Sequence, residues 1–113
     1  MLTVDALREY GADVDTGLAR CMNNEAFYLR MVEMVIGDDK LGALKEALDA
    51  RDFELAFDLA HAMKGACGNV SLTPVYRPVS EISNGLKAEK DMDYTALCDE
   101  AVTQFEKLKK LAE

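Results

Sequence analysis

The chain has no tryptophan, and only two prolines and seven glycines among its 113 residues. That poverty excludes collagen-like and low-complexity sequence. Cysteine is scarce too: Cys21, Cys67 and Cys98 are odd in number, far apart and without a CxxC pair. Such spacing fits neither a disulfide framework nor a zinc site. It reads as three reduced thiols serving as small core residues in a cytoplasmic protein. There is one histidine, so no HxxxH pair or His/Cys cluster points to a metal. Positive charge is in deficit, with 13 Lys and Arg against 21 Asp and Glu and a net charge of −8. That balance argues against nucleic acid and anionic membrane surfaces, where basic patches carry the affinity. Apolar runs are too short to span a bilayer, and the opening MLTVDALREY reads as no secretory signal.

Half of the residues are hydrophobic and 30% are charged, an ordinary globular mixture. The length suits one domain, residues 1–113, able to bury about two thirds of its unfolded surface. No linker or internal repeat interrupts it. Apolar residues recur at three- and four-residue steps, and strand signals are almost absent. Thr3 can cap a short helix that Gly11 stops, and Asp13 or Asp15 a second carrying Leu18, Cys21 and Met22. Asn23 or Asn24 starts a third, with Phe27, Met31, Met34 and Val35 inward and its end at Gly37. Asp38 or Asp39 opens a fourth on Leu41, Leu44 and Leu48, and Asp52 a fifth reaching about Val70. Thr73 and Pro74 read as cap and first-turn proline of a sixth, whose Pro78 must bend it or delay its start. Asp91 or Asp93 caps the last, with Leu97, Ala101, Phe105 and Leu108 inward. Short loops make neighbouring helices antiparallel. The expected fold is all-α: an antiparallel up-and-down four-helix bundle with short additional N-terminal helices.

The fifth helix carries the chemistry. With His61 placed at 0° and steps of 100° per residue, Ala56, Leu59, Ala60, Met63, Ala66, Cys67 and Val70 fall between roughly 140° and 260°. That is a buried stripe, and His61 lies opposite its centre, facing water. Lys64 and Gly65 lie one turn on, Gly68 returns to nearly the same azimuth, and Phe57 lies one turn back. Each of the two glycines costs about 1 kcal/mol relative to Ala in a helix. An ordinary solvated face would carry Glu, Lys or Gln there. A bare patch beside an exposed imidazole points to close approach by another body, and an exposed Phe57 to a docking surface. Taken singly, each of these residues is more often a solvated side chain or a helix cap. On one narrow face together they are harder to dismiss.

Acid–base catalysis would need a pocket and a positioning partner, and no second histidine, serine elbow or paired-carboxylate motif accompanies His61. KGACGN is not a phosphate-binding loop, since GxxxxGK[ST] is absent. Nucleophilic chemistry at an imidazole nitrogen remains. A phosphoryl group there would gain from the positive charge of Lys64 and the room left by Gly65.

Ala60-His61-Ala62-Met63-Lys64-Gly65-Ala66-Cys67-Gly68-Asn69-Val70 closely resembles the signature of histidine-containing phosphotransfer domains, A-H-x-L-K-G followed by small residues, Asn and an aliphatic. Met63 stands in for the usual Leu. Asp15-Thr16-Gly17-Leu18-Ala19-Arg20 and Asn24-Glu25-Ala26-Phe27-Tyr28-Leu29 resemble the family's N-terminal segment, and Ala47-Leu48-Asp49-Ala50-Arg51-Asp52 the turn before its phosphorylated helix. The likeness is strongest over 13–110. It implies a carrier rather than an enzyme, in which His61 accepts phosphoryl from a receiver-domain phosphoaspartate and passes it to another receiver. It further implies Lys64 as the neutralising charge and Gly65 as steric clearance. Phe57, Ala62 and Gly68 are candidate receiver contacts by azimuth. Expected partners are response-regulator receivers and a hybrid sensor kinase, with Mg²⁺ on the receiver and no cofactor or metal on this chain, which is expected to be a monomer in the cytoplasm. Ala66 and Ser71 depart from the family's Ser and Gly, and Ser80, Ser83 and Asn84 are the candidates for orienting the imidazole. The alternative is a helical adaptor that docks receivers without relaying phosphate. Met1 and the capped ends at Thr3 and Leu111 favour a small protein over a fragment of a sensor kinase.

Overall fold

A computed structural model describes residues 1–38 and 40–113. Among these described residues there are seven helices: α1 Val4–Tyr10, α2 Val14–Arg20, α3 Glu25–Gly37, α4 Leu41–Asp49, α5 Phe53–Asn69, α6 Thr73–Lys87 and α7 Tyr94–Leu111. Among the described residues there is no strand. The starts follow side-chain chemistry. Thr3 Oγ1 accepts from the Ala6 N–H at 3.1 Å, Asn24 Oδ1 from Phe27 at 3.0 Å and Asp52 Oδ1 from Leu55 at 3.2 Å. Asp13 and Asp93 cap α2 and α7 in the same way. Each such cap stabilises its helix by about 1 kcal/mol. Gly11, at φ 110°, closes α1 in the left-handed conformation that glycine adopts without strain.

Two starts differ from the sequence reading. Asp38 closes α3 instead of opening α4, and Asp39 lies outside the described residues. The residue before α4 is Lys40, which makes no capping bond. The Asp38 carboxylate lies two residues too early and pairs with the Lys40 ammonium. Helix α6 begins on Leu72 as cap residue, so Thr73 and Pro74 are its first two helical positions. Leu72 and Val75 are fully buried, and that anchorage pulls the start one residue forward. Pro78 neither ends nor delays the helix, which runs unbroken to Lys87. It lacks an N–H, so only the Pro74 carbonyl one turn back loses its helical partner.

The largest departure is the stripe of α3. Tyr28, Val32 and Val35 are buried, whereas Phe27 is 45% and Met34 61% exposed and Met31 is half-buried. Tyr28 sets that rotation: its ring lies over Gly17 of α2, and its hydroxyl donates to the Val70 carbonyl at 2.9 Å. Met22, expected inward, is exposed because α2 has already ended at Arg20. On α7, Leu97 is only half-buried, at the margin of a face formed by Tyr94, Cys98, Ala101, Phe105 and Leu108.

Helices α4 to α7 form a closed ring, each packing on the next and α7 returning to α4. Gly68 meets Tyr76 and Lys64 reaches Asn84, so α5 and α6 run antiparallel. Ala56, Ala60, Met63 and Cys67 of α5 face the interior, with Leu59 and Ala66 at its edge. Burying a side chain such as Met63, Leu44 or Phe105 contributes about 1.5–3 kcal/mol. The three cysteines are free and buried. The N-terminal helices brace one side, α1 touching α7 and donating a hydrogen bond from the Tyr10 hydroxyl to the Gln104 carbonyl at 2.9 Å. No helix among the described residues is long and apolar enough to cross a membrane.

Candidate functional site

The rotation of α5 is fixed by its small buried residues, and His61 comes out on the opposite face, exposed. One turn back, the Phe57 ring stacks on the imidazole with centroids 5.5 Å apart and planes 19° from parallel. Phe57 is half-buried rather than fully exposed as the sequence reading expects, and its ring supports the histidine ring. Among the described residues the imidazole has no hydrogen-bond partner. The three side chains considered for orienting it do other things. Ser83 is buried, Ser80 is half-buried, and the Asn84 side-chain oxygen accepts from Lys64 Nζ at 3.2 Å.

Lys64 is half-buried along the α5–α6 seam. Its only described partner is that neutral amide, so no carboxylate cancels its charge. Gly65 is exposed, and a methyl group added there would meet nothing within 4 Å. Gly68 differs: a methyl group would stand 3.2 Å from Cε2 and 3.5 Å from Cδ2 of Tyr76. The bare strip expected from azimuth therefore ends before Gly68, where α6 lays an aromatic edge over the glycine. Ala62 is exposed and borders a separate shallow groove shared with Met31 and Met34 of α3.

An open cleft of about 610 Å³ runs along this face. One wall is α5, with His61, Lys64 and Gly65; a second is α6, with Tyr76 and Arg77; a third is α2, with Thr16 and Arg20. The Arg20 guanidinium donates to the Gly68 carbonyl. Sequence reasoning missed Arg20, Tyr76 and Arg77, which join the site only through tertiary packing and carry no local signal. Burial pushes the Cys67 thiol up to about 12, which leaves it protonated and inert near neutral pH. The imidazole of His61 is exposed in this cleft, whereas the Cys67 thiol is buried and does not line it.

The family model described as "Hpt domain" matches residues 36–112, well over half of the chain. No curated protein and no solved structure matches it. The matched stretch contains all of α4 to α7 and the exposed His61-x-x-Lys64-Gly65 face, and on that match the chain belongs to the Hpt, or histidine phosphotransfer, domain family.

Proposed function

We propose that His61 is the phosphoacceptor of a two-component phosphorelay, taking phosphoryl from one receiver domain and giving it to another. Hpt domains are phosphotransfer carriers rather than kinases, and the family membership supplies that general role. The assignment to His61 rests on one observation above all. The only imidazole in the chain stands exposed, with open space at Gly65 and an uncancelled ammonium at Lys64 on the next turn.

The step is a displacement at phosphorus. The lone pair of an imidazole ring nitrogen attacks the phosphorus of an aspartyl phosphate. An N–P bond forms, the P–O bond to the aspartate breaks, and the carboxylate leaves with its electron pair. The other ring nitrogen, which starts as N–H, carries the positive charge until its proton is lost. Return transfer reverses each change. The Phe57 stack restrains the ring by one face and leaves its nitrogen edge free. Lys64 offsets the dianionic phosphoryl charge, and Gly65 leaves room for the incoming receiver. The receiver supplies Mg²⁺ and its own acidic residues, while this chain brings no cofactor. In this role the protein acts as a cytoplasmic monomer, and its three buried free thiols suit a reducing compartment.

Incubation with a phosphorylated receiver should put acid-labile, alkali-stable label on the wild type and none on His61→Gln. Equal labelling of both would move the acceptor elsewhere. Receiver binding without any label, at an affinity unchanged in His61→Ala, would make the protein a docking adaptor.

A further inference from the structure

The family match starts at residue 36, yet one wall of the cleft belongs to α2, outside it. Arg20, at the end of that helix, is exposed and donates to the carbonyl of Gly68 in the last turn of α5. That turn has no basic residue of its own, so the guanidinium supplies the cation which a helix C-terminus favours. A guanidinium has five N–H donors, and one bond to a carbonyl leaves most of them for a ligand. Arg77 stands on the opposite wall, next to Tyr76, whose ring marks the level of Gly68. It is exposed and has no carboxylate partner among the described residues. Asp13, the acid on this cleft, already accepts from the Thr16 N–H at 3.4 Å and the Thr16 hydroxyl at 2.8 Å. A chain of net charge −8 thus gathers Arg20, Lys64 and Arg77 around one cleft.

The Arg20 guanidinium is tied to Gly68, seven residues beyond His61 and roughly 10 Å along the helix axis, past the reach of a group bonded to the imidazole. Arg77 lines the opposite wall of the same cleft. Both face whatever body covers the cleft when a donor approaches His61. Resting on the phosphorelay reading above, we propose that Arg20 and Arg77 clamp an acidic protein surface, the one flanking the receiver's phosphoaspartate. They are docking and specificity residues, whereas Lys64 serves the phosphoryl group. The chain's general negative charge repels an acidic partner except along this cleft, so the pair fixes orientation as well as affinity. The N-terminal helices then have a functional task, holding one jaw of the clamp.

Transfer kinetics from a phosphorylated receiver test this on the full chain, with wild type, Arg20→Gln, Arg20→Glu and Arg77→Glu. Glutamine removes the charge and keeps an amide N–H, on a side chain two atoms shorter than the one that reaches the Gly68 carbonyl. Phosphoramidate, a small donor that needs no docking, serves as the parallel phosphoryl source. The expected result is a KM raised several-fold by Arg20→Gln and about tenfold or more by either charge reversal, with kcat within about twofold. The salt dependence of KM should flatten, and phosphoramidate labelling of His61 should not change. A wild type that accepts phosphoryl from the receiver while every arginine variant keeps its KM and salt dependence overturns the clamp alone. Equal loss of phosphoramidate labelling in Arg20→Gln also overturns it, by making Arg20 a fold residue. A wild type labelled by neither donor overturns the clamp and the phosphorelay reading together.

Discussion

Gly17 on α2 and Gly65 on α5 both sit inside a continuous helix, and a methyl group would meet opposite surroundings at the two. At Gly17 it would lie 2.4 Å from Cε1 of Tyr28, inside the ring's own space. At Gly65 it would meet nothing within 4 Å. Either glycine costs its helix about 1 kcal/mol relative to alanine. At Gly17 the fold recovers that cost, because the absent side chain lets Tyr28 seat fully and bond Val70 across to α5. At Gly65 nothing in this chain recovers it. A helix weakened with no internal gain, next to the only histidine, makes sense when the space belongs to another molecule. The comparison separates a glycine used for packing from a glycine kept for a partner.

Gly65→Glu should break the comparison most visibly. Glutamate is the better helix former, so the midpoint of thermal unfolding should hold or rise. Its bulk and negative charge would nonetheless fill the space a phosphoryl donor needs. Misplacement of a reacting group by about 1 Å can cost a hundredfold, and transfer from a receiver should fall by at least about that factor. Wild-type transfer rates in this variant would remove the close-approach argument for Gly65.

Gly17→Ala should do the reverse, harming the fold and sparing the chemistry. The added methyl group cannot be met by a small shift of Tyr28, since the ring is enclosed and its hydroxyl is held by Val70. Overpacking of this kind destabilises by about 1–3 kcal/mol. Chemical denaturation should show that loss, while the folded fraction keeps its transfer rate.

How far these two regions could be read beforehand differs for a physical reason. On α5 the buried stripe is made of small residues in a clean 3.6-residue period, so the position of His61 followed from arithmetic. On α3, apolar residues surround most of the helix, and periodicity alone could not choose between Phe27 and Tyr28 as the inward aromatic. The choice was made by a glycine on another helix. The same limit applies to the cleft. His61, Lys64 and Gly65 are consecutive turns of one helix, while Arg20 and Arg77 arrive from elements far away in sequence. Phe57 had the right azimuth, but its stacking on the imidazole depends on side-chain torsions that a helical wheel does not contain.

Alkaline titration should reach the packed region and leave the open one untouched. Burial pushes the Tyr28 phenol up to about 12, against roughly 10 for an exposed tyrosine. Its folded pKa is raised, so the protonated phenol favours the native state. The contribution is complete below about pH 10 and is lost as pH rises from there towards 12. Burial raises Tyr10 in the same direction. Stability should therefore be flat through neutral pH, begin to fall above about pH 9 as the buried Cys67 and Cys98 thiols lose their advantage, and fall more steeply above about pH 10, where Tyr28→Phe should remove part of the loss at the cost of the bond to Val70.

The smallest effect belongs to Gly68, which stands between the two cases. A methyl group there would approach Tyr76 Cε2 to 3.2 Å, tight but not impossible, and the half-buried ring can give by a few tenths of an ångström. The gain in helix propensity, about 1 kcal/mol, opposes a strain of similar size. Gly68→Ala should therefore change stability by less than about 0.5 kcal/mol, as most benign substitutions do. Its effect on transfer is the sharper measurement. If the glycine only seats Tyr76, receiver KM and kcat stay at wild-type values. A raised KM at unchanged stability would extend the partner's footprint from Gly65 down the helix to the carbonyl that Arg20 holds.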